Sequence, residues 1–276
     1  MQIILVPTDF TPLGYNIARY AIAFANNIKA TRIVLYNAFM PFVSDDSGLG
    51  AIILDTSEDL RKISIEGLIK MKEVLQAEAP GLQIEYDHNV LPVEAGIEEA
   101  CKKFHPGLIV MGVSGSGSAL MEALGSNAVD IARHIKIPTL IIPPLAAYNG
   151  LKKVVLASDF KDVINTTPTD TIKKFIDDTG AQLHVLHIET SAADSEAAVT
   201  TEKNKFNSMF SGYDPEYHFI KGKVFTDAVN EFSATSHADL IIIIPKKHSW
   251  FEGIFTYKHT KALAFHSNTP LLAVHV

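Results

Sequence analysis

The stretch Ile3-Ile4-Leu5-Val6-Pro7-Thr8-Asp9-Phe10 occurs twice in this chain. It returns about 150 residues later as Lys153-Val154-Val155-Leu156-Ala157-Ser158-Asp159-Phe160, and both copies are apolar runs that end on Asp-Phe. The same offset pairs residues 33–38 with 183–188, and beyond the middle of each half an offset of 132 pairs residues 108–111 with 240–243. A repeat of this length predicts one fold built twice, with a second copy about 18 residues shorter.

Short apolar runs rich in β-branched residues are typical of strands buried on both faces of a parallel sheet. These runs cover residues 2–7, 32–38, 83–90, 108–112 and 139–143, then 152–157, 182–188, 216–221, 239–244 and 271–275. Helical patterns separate those of the first half, at residues 11–27, 56–78, 93–104 and 126–134. The sequence therefore predicts an α/β protein with two tandem doubly wound domains, each a five-stranded parallel sheet.

A linker rich in Pro, Asn and Gly, at residues 143–150, separates the two copies. We predict a first domain over residues 1–146 and a second over 151–276, with the boundary near residue 147. Surface loops tolerate deletions, so the missing residues of the second copy are expected to correspond to the loop at 41–55.

Composition excludes several classes of protein. No apolar run reaches the roughly 18 to 20 residues of a membrane helix, and the first residues lack the basic segment of a signal peptide. Cys101 is the single cysteine, which excludes an intrachain disulfide and a thiol-based metal cluster. The net charge of −7 argues against nucleic-acid binding. We expect a cytoplasmic protein without membrane or nucleic-acid partners.

A loop rich in glycine and serine follows the fourth strand, from Gly112 through Gly115 to Ser118, and Gly125-Ser126-Asn127 lies further along. Ligands of open parallel sheets bind beyond the carboxyl ends of the strands, and glycines let the backbone approach them closely. The pattern places Ser126 at the N-cap or first turn of the next helix, where free N–H groups near Asn127 would attract an anion. The sequence therefore predicts a phosphate cradle.

The spacing of Gly112, Gly115, Gly125 and Ser126 resembles the G-x2-G-x9-G-[S/T] signature of the ATP-binding branch of the universal stress protein family. The likeness covers essentially the whole chain in tandem, and its fold is that of the adenine nucleotide alpha hydrolase-like proteins. The resemblance implies that the glycines and the serine hold ribose and phosphates, while the ends of the first two strands enclose the adenine. Carried over to this sequence, the binding residues are Pro7, Thr8, Asp9, Ala38, Gly112, Gly115, Gly125, Ser126 and Asn127.

The implied cofactor is ATP, with or without Mg²⁺, although the residues leave AMP and ADP open. Asp9 is expected to hydrogen-bond the ribose or the base, because a carboxylate accepts hydrogen bonds but repels phosphate. Other nucleotide and hydrolase motifs do not fit. The Walker A motif needs Gly-Lys-Ser/Thr, which is absent. The dinucleotide motif would follow the first strand, where residues 7–11 contain no glycine. The Gly-x-Ser-x-Gly motif of serine hydrolases would need glycine at position 116, where Ser116 stands.

The second copy is predicted to be degenerate. Its residues at the four signature positions are Ile244, Lys247, Tyr257 and Lys258, whose side chains would clash with a nucleotide. Four lysines of this region could receive another anion or fill a vacated pocket: Lys246, Lys247, Lys258 and Lys261. Trp250 and Phe251 would act as a plug or a contact surface.

No metal site is expected from the histidines. His184 and His187 lie three apart on a strand and face opposite sides. His259 and His266 could share a helical face, but no third ligand accompanies them.

The resemblance favours a stress-response regulatory protein in which the nucleotide changes conformation or the affinity for a signalling partner. The last strands of the halves, 139–143 and 271–275, are expected to pair as an internal pseudo-dimer, and the chain could form a homodimer as well. An alternative is a slow ATPase or an autophosphorylating protein that uses Ser114, Ser116 or Ser118. No catalytic residue can be assigned for it, since general base, lysine and second carboxylate are missing near the cradle. A third possibility is an interaction scaffold without a ligand.

Overall fold

The structure is a computed structural model, and it describes residues 1–39, 52–112, 119–189, 196–221, 225–245 and 269–276. Ten strands and eight helices lie within these ranges. All ten predicted strands are present, with ends within two residues of those expected. The chain divides into two compact units, Met1–Met111 and Gly112–Val276.

The first unit alternates strand and helix along the chain. Its elements are β1 (Ile3–Pro7), α1 (Pro12–Asn27), β2 (Arg32–Ala38), α2 (Ile52–Glu78), β3 (Gln83–Asn89), α3 (Val93–Phe104) and β4 (Leu108–Gly112). The strands follow the order β3-β2-β1-β4, and each pairs parallel with its neighbours. Consecutive strands are added on one side of β1 up to β3 and on its other side from β4 onward, so the strand order reverses at β1. Open α/β sheets bind their ligands at such a position.

The second unit contains the remaining elements. They are α4 (Ala119–His134), β5 (Thr139–Ile142), β6 (Lys153–Ala157), α5 (Val163–Thr166), α6 (Thr169–Thr179), β7 (Gln182–Glu189), α7 (Glu196–Met209), β8 (Glu216–Lys221), α8 (Phe225–Ser236), β9 (Leu240–Ile243) and β10 (Leu271–Ala273). The strand order is β5-β10-β9-β6-β7-β8, parallel except between β5 and β10.

The antiparallel pair joins the two strands that were expected to meet. Thr139 of β5 lies opposite Ala273 of β10, and Ile141 lies opposite Leu271. By sequence β5 closes the first copy, and the second compact unit contains it together with β10. The domain boundary near residue 147, which was derived from the sequence repeat, stays a prediction.

The central strands are buried on both faces, as their continuous apolar sequences predict. Ile4, Leu5 and Val6 of β1 are fully buried, and so are Val154 and Val155 of β6. Burial of each such side chain stabilises the fold by roughly 1.5–3 kcal/mol. The sheet therefore supplies a rigid base for the loops at the ends of its strands.

Three helices differ from the sequence expectation. Helix α2 begins at Ile52 and has 27 residues, whereas its counterpart α7 has 14. The difference of 13 residues places most of the shortening within this helix, so the expected loop at 41–55 accounts for only part of it, and residues 41–51 of that loop lie outside the described residues. Helix α4 begins at Ala119, seven residues before the expected start. The counterpart of α1 is broken into α5 and α6 because Pro168 forces Thr167 into an extended conformation.

Candidate functional site

The loop after β1 forms a tight turn around two of the predicted binding residues. The backbone N–H of Thr8 donates to Tyr36 O (2.8 Å), which continues the pairing with β2, and the Thr8 hydroxyl accepts from Phe10 N (3.2 Å). Asp9 Oδ1 accepts from both the backbone N–H and the hydroxyl of Thr11, at 3.1 and 2.7 Å. The Asp9 side chain is thus held in one orientation while the residue remains exposed.

Helix α1 begins next to the Asp9 carboxylate, because Thr11, which bonds that carboxylate, is also the N-cap of the helix. The Thr11 hydroxyl caps the helix by accepting from Gly14 N at 3.1 Å, and Pro12 occupies its first turn. A Cβ at Gly14 would lie 2.8 Å from Asp9 Oδ1 and 2.9 Å from the Thr8 hydroxyl. The glycine therefore lets the helix approach the turn closely enough to fix both side chains.

Asn37 and Ser64 support the turn from the side of β2, and sequence reasoning did not identify either as part of the site. Asn37 Nδ2 donates to Thr8 O at 2.7 Å, and the Ser64 hydroxyl donates to Asn37 Oδ1 at 2.7 Å. A polar residue near the end of a buried strand, just before Ala38, was the signal available for Asn37. Ser64 offered no comparable signal, because helix spacing alone does not show which strand end it contacts.

Ala38 lies at the carboxyl end of β2, beside helix α3. A Cβ at Gly96 of that helix would lie 3.0 Å from the Ala38 Cβ and 2.6 Å from Tyr36 Oη. Burial raises the pKa of the Tyr36 hydroxyl, which has no hydrogen-bond partner within the described ranges. The absence of a side chain at Gly96 thus lets helix α3 pack closely against this strand end.

The glycine-rich part of the predicted site is only partly described. Gly112 ends β4 and is half-buried, whereas Gly115 lies outside the described residues, as do Ser114, Ser116 and Ser118. The expectation that Ser126 caps a helix or starts its first turn is wrong, because α4 already runs from Ala119 and includes both Gly125 and Ser126. Asn127 lies in the same helix and is half-buried.

The second copy repeats three hydrogen bonds that backbone N–H groups of this turn donate, whereas Lys161 replaces Thr11 and has no hydroxyl to bond the carboxylate. Ser158 N donates to Leu186 O (2.9 Å), Phe160 N to the Ser158 hydroxyl (3.2 Å) and Lys161 N to Asp159 Oδ1 (3.2 Å). His187 takes the position of Asn37 and its Nδ1 donates to Ser158 O at 3.0 Å.

The exposure of the carboxylate differs between the copies. Asp159 is 2% exposed and Phe160 3% exposed, whereas Asp9 is an exposed residue. The same backbone turn therefore presents a carboxylate to solvent in the first copy and buries it in the second.

The remaining predictions for the second copy fall mostly on undescribed residues. Ile244 follows β9 and is buried, at 3% exposure, which agrees with a filled position where the first copy has Gly112. The predictions made for the other residues of this region lie outside the described residues: Lys246, Lys247, Trp250, Phe251, Tyr257, Lys258, His259, Lys261 and His266.

The strand order, the parallel pairing and the turn at the switch point define a doubly wound α/β protein. The family model described as "Universal stress protein family" matches residues 1–143, more than half of the chain. The chain belongs to the universal stress protein family.

Solved structures show the same fold at low sequence identity. A universal stress protein from Archaeoglobus fulgidus DSM 4304 is 18% identical, with a TM-score of 0.70 over 99% of this chain and 96% of that chain. A protein of unknown function from Pseudomonas aeruginosa PAO1 is 15% identical, with a TM-score of 0.62 over 100% of this chain and 92% of that one. A universal stress protein in complex with cAMP covers 51% of this chain and 96% of its own, with 22% identity and a TM-score of 0.38.

Among curated protein sequences, none matches this chain. Of the helices in the described ranges, none has the length and apolar character needed to cross a membrane.

Proposed function

We propose that this protein is a regulatory protein that binds one adenine nucleotide, ATP, through its first copy. The binding residues would be those carried over from the family resemblance: Pro7, Thr8, Asp9, Ala38, Gly112, Gly115, Gly125, Ser126 and Asn127. Nucleotide occupancy would change the affinity for a partner in the stress response. Mg²⁺ would accompany the phosphates.

The observation that supports this proposal most is the contrast between Asp9 and Asp159. Both carboxylates sit in the same hydrogen-bonded turn, but only the first is exposed. Both hydrogen bonds that Asp9 accepts go to Oδ1, so among the described residues Oδ2 remains for a ligand hydroxyl. A ribose offers two such hydroxyl donors.

The surroundings of Asp9 suit recognition because they are fixed before any ligand arrives. Asn37 holds the Thr8 carbonyl, Ser64 holds Asn37, and Thr11 holds the carboxylate. A ligand would therefore lose little free energy to ordering of the site, which is the general benefit of preorganisation. Phosphate binding is assigned to the glycine-rich segment on the sequence signature alone.

Calorimetric titration with ATP and Mg²⁺ tests the proposal. Wild-type protein is expected to bind ATP, and Gly115→Val should abolish binding because the added side chain occupies the backbone approach. The matched control is Lys247→Val, the equivalent position of the second copy, which should bind as wild type does. Asp9→Ala should weaken binding by about 10- to 100-fold, the loss of one hydrogen bond to a charged group.

Equal ATP affinity in the wild type and in Gly115→Val would contradict the assignment of the site. Failure of the wild-type protein to bind ATP, ADP or AMP would contradict the proposed function as a whole. Thermal unfolding of each variant without nucleotide shows that any loss of binding is not a loss of fold.

A further inference from the structure

A second cluster of polar side chains lies on the sheet of the second unit, away from the turn at Asp159. It consists of His184 on β7 together with Glu216 and His218 on β8. His184 lies directly opposite Glu216 in the parallel pairing, and His218 is two residues further along β8. Side chains two apart on a strand share a face, so all three project from the same face of the sheet.

The distances within this cluster match those between ligands of one metal ion. His184 Nδ1 lies 3.0 Å from His218 Nε2 and 3.5 Å from Glu216 Oε2, and one ligand atom from each residue lies within 4.8 Å of the others. Two ligands about 2.0–2.1 Å from a tetrahedral zinc ion are about 3.3 Å apart. We propose that His184, Glu216 and His218 form a binding site for a divalent transition-metal ion of the zinc class.

A neighbouring side chain orients one of the ligands. Gln182 Nε2 donates to Glu216 Oε1 at 2.7 Å, which leaves Oε2 as the oxygen on the side of His184. Groups that hold a ligand in place in this way strengthen metal sites.

The protonation state of the cluster also suits a cation. Burial lowers the pKa of both His184 and His218, which favours the neutral imidazole that a metal ion coordinates. The Glu216 carboxylate supplies negative charge. The positive charge of Lys153 disfavours a cation bound at this cluster. Its ammonium group is directed to Ser236 O, to which it donates a hydrogen bond at 2.8 Å.

Access to the site comes through Glu216, whose side chain is 54% exposed, whereas that of His184 is 2% exposed. The two imidazole rings stack with an interplanar angle of 16°. Coordination requires one ring to turn so that both lone pairs point at the ion, and His218 is the less buried of the two rings. Three protein ligands leave a fourth position for water, as in sites with an open coordination position.

Competition for Zn²⁺ against a chromophoric chelator tests this inference on the full-length protein. The wild type should bind Zn²⁺ through this site, and His218→Ala should weaken binding by about 100-fold or more, since a lost ligand matters more than a lost orienting group. Glu216→Gln should weaken it as well, and Gln182→Ala by about tenfold. The matched control is His88→Ala, which removes a strand histidine of the first unit and should leave the affinity unchanged.

Co²⁺ provides an independent readout, because its visible absorption reports the coordination geometry. The wild-type spectrum should show tetrahedral bands that are absent in His218→Ala and present in His88→Ala. The proposal is overturned if wild-type protein fails to retain Zn²⁺ against the chelator, or if His218→Ala and Glu216→Gln bind it as tightly as wild type. Should His218→Ala not fold, Glu216→Gln decides the matter, because its side chain is largely exposed.

Discussion

Gly96 of helix α3 sits against the end of β2, where a methyl group would lie 2.6 Å from Tyr36 Oη. We expect Gly96→Ala to lower the free energy of unfolding. Overpacking of a filled core typically costs about 1–3 kcal/mol, while the better helix propensity of alanine returns about 1 kcal/mol. The net loss should be about 1 kcal/mol, measured by urea unfolding.

Tyr36→Phe provides the partner for a double-mutant cycle. It removes the hydroxyl oxygen, after which the nearest atom of that ring to the added methyl is Cζ at 3.5 Å. Gly96→Ala should then destabilise by about 1 kcal/mol less in the Tyr36→Phe background. Additive effects of the two substitutions would show that the contact with the hydroxyl does not set the need for glycine.

The residues of the turn show how far sequence reasoning reaches at this scale. The repeat correctly aligned Asp9 with Asp159, and the hydrogen bonds of both turns agree with that alignment. The difference in exposure between the two carboxylates was not predictable from it. Exposure depends on which side chains other elements bring to the turn, and the eight repeated residues of each copy do not contain that information.

At the scale of the element, the paired strands β7 and β8 give the protein a pH-dependent stability. Burial lowers the pKa of His184 and His218 in the folded state; the carboxylate of Glu216 raises both values and the ammonium of Lys153 lowers them. The unfolded chain therefore takes up protons first, at about pH 6.5. The free energy of unfolding should be fully developed above that pH and fall as the pH drops through the lowered values.

The measurement is urea unfolding from about pH 7.5 to 5, in the presence of a chelator, for wild type and His218→Gln. The glutamine stays neutral, so the variant should lose less stability over this range. Part of the decline should remain, because the pKa of His184 and that of His275 are also lowered by burial. If the free energy of unfolding of His218→Gln falls with pH as steeply as that of wild type, His218 does not contribute to the pH dependence.

Elements with a clear apolar sequence pattern were predicted well, whereas the ends of elements that depend on tertiary contacts were not. The ten strands follow from continuous β-branched runs. The start of α4 was misplaced because Gly125-Ser126 has the composition of a helix start, although the helix continues through it. The cluster of His184, Glu216 and His218 was missed because its members meet only through the register of β7 and β8, which spacing along the chain does not give.

For the molecule as a whole, the duplication predicts a stoichiometry. We expect one ATP per chain, since the second copy buries Asp159 and carries Ile244 where the first copy has Gly112. The measurement is the ratio of adenine to protein after gel filtration of the saturated complex, or the stoichiometry of a calorimetric titration. A ratio of two nucleotides per chain, with the second lost in Asp159→Ala, would show that both copies bind.

The antiparallel pairing of β5 with β10 has a consequence for how this protein behaves in dilute solution. The two strands belong to one polypeptide, so their association is a first-order process, set by a local effective concentration rather than by the amount of protein present. The same contact between separate chains would be lost on dilution below its dissociation constant. Here the pairing holds however few copies of the protein a cell contains.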